Sequence, residues 1–370
     1  MHNYLLLKLL LCLLIPTFII IISIFFIYLY RKTSTSTETS ATATVTASEN
    51  PETGNIKNNE KEEEEEPELM CFSGGEDLKV SDILDAPGEV IGKSSYGTLY
   101  KANLTRKNST LLLRFLRPAC SGSLGDVINV VHSTGFIRHE HLVPLLAFYV
   151  GPRGEKLLVY PFYHHLNLSQ FIKDGNIESH KWDTIYKIAL GLVKGLAYLH
   201  SGLVKPVIHG NLKSKNILLG PNFQPFISDY SLHLLLNPNA GQEMLENSAF
   251  QGYKAPELMK IKDARESTDI YSLGIILLEL LTGREPINLN ASDPQEMHLP
   301  NAIRKAILDH RIKDLYHPGL VLNLTGNQRY RIEDSALKLV QIAISCCSPS
   351  PSLRPLAHEV VRKFVDLNNE

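Results

Sequence analysis

The 370-residue chain is poor in cysteine: Cys12, Cys71, Cys120, Cys346 and Cys347 are its only five. They are odd in number and unevenly spaced, which excludes a disulfide framework and gives no zinc-ligand pattern. A reducing compartment fits them, and the adjacent Cys346 and Cys347, inside an apolar helical pattern, read as core thiols. Charge is also scarce, a net −2 from 37 Lys and Arg against 39 Asp and Glu. Nothing there calls for a nucleic-acid partner. What is present is apolar content, 44% of residues, enough for a large core in one or two domains.

The apolar residues are concentrated first in Leu9 to Tyr30, a run whose 22 residues, at roughly 1.5 Å each, span a hydrocarbon core of about 30 Å. The run predicts a membrane-spanning helix preceded by a short segment, residues 1–8. A cleaved secretory signal is the alternative, but its apolar core is only about 7–15 residues long and ends in small residues, whereas this run ends Ile27-Tyr28-Leu29-Tyr30. Lys8 precedes the span while Arg31 and Lys32 follow it, a bias that places the remainder in the cytoplasm. Sequons at Asn103, Asn108, Asn167 and Asn323 would carry glycans only in the opposite topology.

Residues Thr33 to Pro67 are rich in Ser and Thr and then acidic, with Glu62 to Glu66 unbroken. Such a stretch buries too little surface to offset the entropy of ordering it, so residues 31–76 are expected to be a disordered acidic linker, either a solvated spacer or a phosphorylatable tail. From Asp77 the pattern is globular. Val90 to Ala102 reads as strand, glycine turn, strand; Thr110 to Leu116, Leu145 to Val150 and Glu155 to Tyr160 are further strands, with a short helix ending near Phe136. Then Ile185, Ile188, Ala189, Leu192, Val193, Leu196 and Leu199 repeat at three and four, one face of a long helix. More helices read at Thr268–Leu281, Leu299–Asp309, Asp334–Cys346 and Pro355–Leu367. Strands first and helices afterwards predict an α+β fold in two lobes, about 77–160 and 161–367.

After the long helix comes V-I-H-G-N-L-K-S-K-N-I-L-L, Val207 to Leu219. This run resembles the catalytic loop of protein kinases, His-Arg-Asp-Leu-Lys-x-x-Asn, with Lys213 and Asn216 matching, Gly210 at the arginine and Asn211 at the aspartate. Further motifs stand in family order: Gly92 to Lys101, Ile137-Arg138-His139, Leu157 to Tyr160, Asp229-Tyr230-Ser231 for Asp-Phe-Gly, Ala255-Pro256-Glu257, Asp269 to Gly274, and Arg354-Pro355. Residues from about Asp77 to Leu367 are similar to the kinase domains of plant receptor-like kinases, in particular the branch with leucine-rich-repeat ectodomains; the chain itself shows no such repeats. The resemblance implies a bilobal protein-kinase-like fold, a β-rich N-lobe over a helical C-lobe.

It also implies where chemistry is missing. In the family the catalytic aspartate accepts and orients the substrate hydroxyl; Asn211 has no charge and no useful basicity. The ATP-positioning lysine is replaced by Arg114, whose planar fork holds phosphate differently. Its alanine neighbour is replaced by Leu112, which crowds the adenine. In the phosphate-covering turn Ser94 replaces the middle glycine between Gly92 and Gly97. The glutamate that pairs with the lysine falls at Val130, one turn from Asp126, and the threonine that bonds the catalytic pair falls at Phe250. Gly210 removes the arginine that receives an activating phosphate. At the hinge, Pro161 lacks an N–H and Tyr163 keeps one.

Against these losses Asn216 and Asp229 match the Mg²⁺ ligands, while Glu257 with Arg354, and Asp269 bracing the catalytic loop, match structural contacts. Weak, Mg²⁺-dependent ATP binding is one expectation; a pocket closed by Leu112 and by Arg114 pairing with Asp229 is the other. For function, the resemblance implies a single-pass pseudokinase, at the plasma membrane with its kinase-like domain cytoplasmic, that scaffolds or allosterically partners active receptor-like kinases. The alternative is a weak or atypical ATP-dependent Ser/Thr kinase.

Overall fold

The computed structural model describes residues 68–104, 109–164, 166–174 and 180–369. The expected membrane span Leu9–Tyr30 and the acidic run lie outside the described residues. Among the described residues no helix is long and apolar enough to cross a membrane.

An antiparallel sheet of six strands forms the N-lobe: β1 Glu68–Cys71, β2 Gly88–Lys93, β3 Gly97–Leu104, β4 Ser109–Leu116, β5 Ala147–Val150 and β6 Lys156–Pro161, in the order β1-β5-β6-β4-β3-β2. The sheet therefore begins at Glu68, inside the stretch expected to be linker, because the free edge of β5 offers Ala147 to Val150 as partners for Cys71 to Glu68. Helix α1, Val80–Leu84, follows β1, and helix α2, Leu124–Gly135, lies between β4 and β5, capped by Ser123, whose hydroxyl accepts the Asp126 N–H at 3.2 Å.

The C-lobe is helical: α3 Leu168–Lys173, α4 Trp182–Ser201, α5 Pro238–Phe250, α6 Glu266–Thr282, α7 Leu299–Leu308, α8 Gly326–Cys346 and α9 Ala357–Asn369, with a small hairpin of β7 Ile217–Leu219 and β8 Pro225–Ile227. The seven periodic residues of α4 are all buried, and the six Ile, Leu and Val among them each stabilise the fold by about 1.5–3 kcal/mol relative to exposure. Helix α6 is buried from Thr268 to Thr282 apart from half-buried Tyr271, the mark of a helix at the centre of a core, and Gly283 ends it in the left-handed region at φ 67°. Cys346 and Cys347 are buried there as free thiols, and burial pushes the Cys346 thiol up to about 12.

A further apolar cluster crosses between the lobes. Leu116, Val127, Val131 and Phe148 of the N-lobe pack in one cluster with Leu235, Met244 and Leu245 from the segment after Asp229. That segment contains α5, which the sequence analysis does not anticipate. Asn237 caps it, accepting the Ala240 N–H at 2.9 Å, with Pro238 at its first position. Backbone bonds tie the same segment to the N-lobe: Gly122 N–H to Leu235 O at 2.9 Å and Asn237 N–H to Cys120 O at 2.9 Å.

Candidate functional site: a cleft closed by an arginine–aspartate bond

The sheet, the catalytic-loop segment and the Asp229 turn meet at one cleft. Arg114 sits in the middle of β4, hydrogen-bonded between β3 and β6, so alternation along the strand fixes its side chain toward the cleft together with Leu112. Its Nη2 lies 2.6 Å from both Asp229 oxygens, and both side chains are largely buried. The pairing considered from the sequence is thus formed. Burial alone would lower the Arg114 pKa, but the Asp229 carboxylate and the bond to it leave the guanidinium firmly charged. Its Nε has no partner.

The glycine turn folds down onto this pair. Ser94 N–H donates to Gly97 O at 2.9 Å and Ser94 Oγ adds a bond at 3.2 Å, so serine at the middle position keeps the turn tight. Gly97 is required: a Cβ there would lie 2.5 Å from the Phe115 carbonyl oxygen of β4. Gly92 lies at the irregularity in β2–β3 pairing. Between them Tyr96 lies half-buried beside Arg114, and burial raises the pKa of its hydroxyl. Nothing in the sequence pattern marks Tyr96 as a neighbour of Arg114. At the hinge, Leu112 is half-buried opposite Tyr160, and Pro161 pairs with Leu111. Tyr163 packs on Phe226 with ring centroids 4.6 Å apart, and burial raises its hydroxyl to about 12.

On the lower side, Asp269 accepts the His209 and Gly210 N–H groups at 2.7 and 2.9 Å and contacts His200 Nε2 at 3.0 Å. Those bonds hold the catalytic-loop backbone rigidly. Asn211 is buried and its Oδ1 has no partner. Asn216 Nδ2 donates to the Asn211 carbonyl at 2.9 Å. Lys213 is half-buried; burial lowers its pKa and Asp229 opposes that shift.

Val130 lines a small cavity with Tyr160, Leu158 and Asp229, so the helix presents a valine to the Arg114–Asp229 pair. Asp126 instead takes the Ser123 hydroxyl at 2.6 Å at the exposed start of α2. Phe250 is not drawn into the cleft: it is 77% exposed and lines a separate cavity of about 360 Å³ with Lys215, Glu279 and Leu289. Farther out, Arg354 clamps Glu257 with Nη1–Oε1 at 2.6 Å and Nη2–Oε2 at 2.8 Å.

The donor set does not fit a divalent metal ion. Both Asp229 oxygens are already engaged by Arg114, and the Asn216 amide is half spent on Asn211, which leaves one free amide oxygen where Mg²⁺ needs near-octahedral oxygen ligation. Among the described residues no cluster of three or more His, Cys, Asp or Glu is arranged to hold a metal.

The protein kinase domain family matches residues 86–365. The chain is 36% identical over 299 residues to the putative kinase-like protein TMKL1 of Arabidopsis thaliana, a match covering 80% of this chain and 44% of that protein. It thus spans less than half the length of that relative. Among solved structures, it is similar to the maize SIRK1 kinase domain bound to AMP-PNP, with a TM-score of 0.71 and 27% identity over 81% of this chain and all of that one. It is also similar to the pseudokinase domain of BIR2, an immune regulator of the RLK/Pelle family, with a TM-score of 0.62 and 26% identity over 80% of this chain and 84% of that one. From Glu68 onward the chain has the bilobal fold of these structures, and it belongs to the protein kinase family, with plant receptor-like kinases as its homologues.

Proposed function

We propose that this chain is a membrane-anchored pseudokinase that works by binding, as a scaffold or allosteric partner of active receptor-like kinases, with its kinase-like domain on the cytoplasmic side of the plasma membrane. The observation that carries the reading is the bond from Arg114 to both oxygens of Asp229, made in a cleft where Asn211 supplies no base and Val130 no carboxylate. A general base contributes about 10²–10⁴ in rate, and phosphoryl transfer depends on positioned phosphates and metal ions; the cleft lacks the first and its residues are committed against the second. The scaffold, by contrast, is kept: Asp269 braces the loop and Arg354 holds Glu257. The likeness to BIR2, itself described as a pseudokinase and an immune regulator, supports a regulatory role without catalysis. The membrane anchor rests on Leu9–Tyr30 and the basic residues after it.

The test is phosphotransfer by the full chain, purified in detergent with Mg-ATP, beside an Asp229→Ala control, together with recovery of active receptor-like kinases bound to the full chain. No transfer and specific kinase recovery are expected. Autophosphorylation that vanishes in the control favours the second reading, a weak Ser/Thr kinase using the retained Lys213 and Asn216.

A further inference from the structure

We propose that Arg114 stands in place of a divalent metal ion in the cleft, so that the site excludes Mg²⁺ and admits a polyphosphate anion only in its metal-free form. The inference goes beyond the partner-binding reading and concerns the ionic character of the cleft, whatever that partner is.

Charge comes first. Two cations, Arg114 and Lys213, face one carboxylate, Asp229, which interacts with both. The neighbours that could add negative charge do not: Val130 and Leu158 are apolar, Asn211 is neutral, and burial raises the Tyr160 and Tyr96 hydroxyls further from ionisation. A divalent cation entering this cleft would meet a net positive field at close range, where partial burial strengthens the repulsion. An anion meets the reverse.

Geometry gives the same answer. To reach Asp229 a metal must break two 2.6 Å charge-assisted bonds and strand a buried guanidinium. Removing the partner of a buried charge leaves that charge uncompensated and is strongly unfavourable. An anion need not break them. Arg114 binds Asp229 through one nitrogen alone, and its Nε, buried and without a partner, is a free donor. Tyr96, on the glycine-rich turn beside Arg114, adds no negative charge that would repel an anion there, since burial keeps its hydroxyl neutral. A phosphate oxygen that accepts from Arg114 Nε makes a charge-assisted bond, roughly twice as strong as a neutral one. Lys213 then supplies the second cation.

The experiment measures binding calorimetrically, and the melting temperature, of the full chain in detergent with five probes: ATP in EDTA, inorganic tripolyphosphate in EDTA, adenosine in EDTA, ATP with excess Mg²⁺, and Mg²⁺ alone. ATP and tripolyphosphate in EDTA are expected to bind and raise the melting temperature, Mg²⁺ alone to do neither, and excess Mg²⁺ to weaken ATP at least tenfold. Arg114→Met should abolish the EDTA binding. Because that variant leaves Asp229 unpaired and risks misfolding, Asp229→Asn is the second: it frees Arg114 and should tighten ATP in EDTA at least tenfold. Adenosine separates the sources of affinity; binding as tight as ATP would place it in the adenine slot and overturn the proposal. Equal or tighter binding of Mg-ATP would overturn it, as would no binding of either polyphosphate at millimolar concentration.

Discussion

His233 occupies the space opened by Gly210: a Cβ on Gly210, which sits at φ 76°, would lie 2.4 Å from His233 Nδ1. The family pattern has arginine at 210 to receive an activating phosphate; here a buried histidine from the segment after Asp229 fills the site, its Nδ1 against Gly210 and without a hydrogen-bond partner. The segment is thereby fixed without phosphate. Gly210→Ala is expected to destabilise by about 2–5 kcal/mol, combining positive-φ strain with overpacking, and Gly210→Ala with His233→Ala to cost less than the two single changes added. The same contact sets a pH response. Burial lowers His233 to about 4, so below pH ~6.5 the unfolded chain takes up a proton that the folded one refuses. Stability should fall by up to roughly 3 kcal/mol from pH 6.5 to 4, and His233→Gln should flatten that limb of a denaturant-unfolding series.

Glu279 gives the opposite slope. It is buried in α6, accepting the Tyr253 hydroxyl at 2.8 Å and that of Ser214 at 3.4 Å, and burial raises its carboxyl to about 8. At neutral pH it is protonated in the folded state and ionised in the unfolded one. Stability is therefore lost as pH rises from about 4.5 towards 8, at up to ~1.4 kcal/mol per unit. Glu279→Gln should remove the decline while changing little at pH 5, as urea midpoints at both pH values would report.

Glu257→Ala should expose the cost of the outer clamp. It leaves the Arg354 guanidinium, whose side chain is 0% exposed, without its carboxylate, while Glu257 itself is 31% exposed. The expected loss is about 3 kcal/mol, the low end for a broken buried pair, because Arg354 keeps bonds to the Ser267 and Ser348 carbonyls and stacks on Tyr271. Thermal melting of the variant beside Glu257→Gln checks it, the amide being expected to recover part of the loss.

What could be read from the sequence was whatever announces itself by period or by ordered motif. The α4 stripe, the strands around Arg114, the Glu257–Arg354 clamp and the Asp269 brace all belong to that kind. Helix α5 escaped because its polar residues and weak periodicity make it helical only through tertiary packing of Ala240, Met244 and Leu245; Asn237-Pro238 before that spacing was the available signal. Strand β1 is four residues long and exists because β5 has an edge to pair. Tyr96 and His233 were invisible for a different reason: each fills a space, and the shape of a space is a property of the fold.

Removing residues 1–32 should release the protein from membranes, since the apolar run Leu9–Tyr30 is the proposed anchor and the acidic stretch after it would be repelled by anionic lipid. Fractionation of the full and shortened chains checks this. Quantitative retention of the shortened chain with membranes would place an anchor elsewhere, and glycans on Asn103 or Asn323 would reverse the topology.

Restoring the two most visible losses, Arg114→Lys and Asn211→Asp, should yield little phosphotransfer. Lysine in place of Arg114 returns the ammonium of the family pattern, and aspartate at 211 returns a carboxylate to a buried position where Asn211 Oδ1 has no partner. Yet the helix still offers Val130 to that lysine, and Asp126 is committed to the cap of α2. A lysine without its carboxylate swings freely and pairs with Asp229 as Arg114 does, so the phosphate-positioning pair is still missing. Adding Val130→Glu should supply it, and phosphotransfer clearly above that of the double variant is expected only in the triple one. Single-turnover transfer from labelled ATP, with Asp229→Ala in each background, measures the steps. Robust turnover by the double variant would mean that Val130 does not stand where the carboxylate is needed.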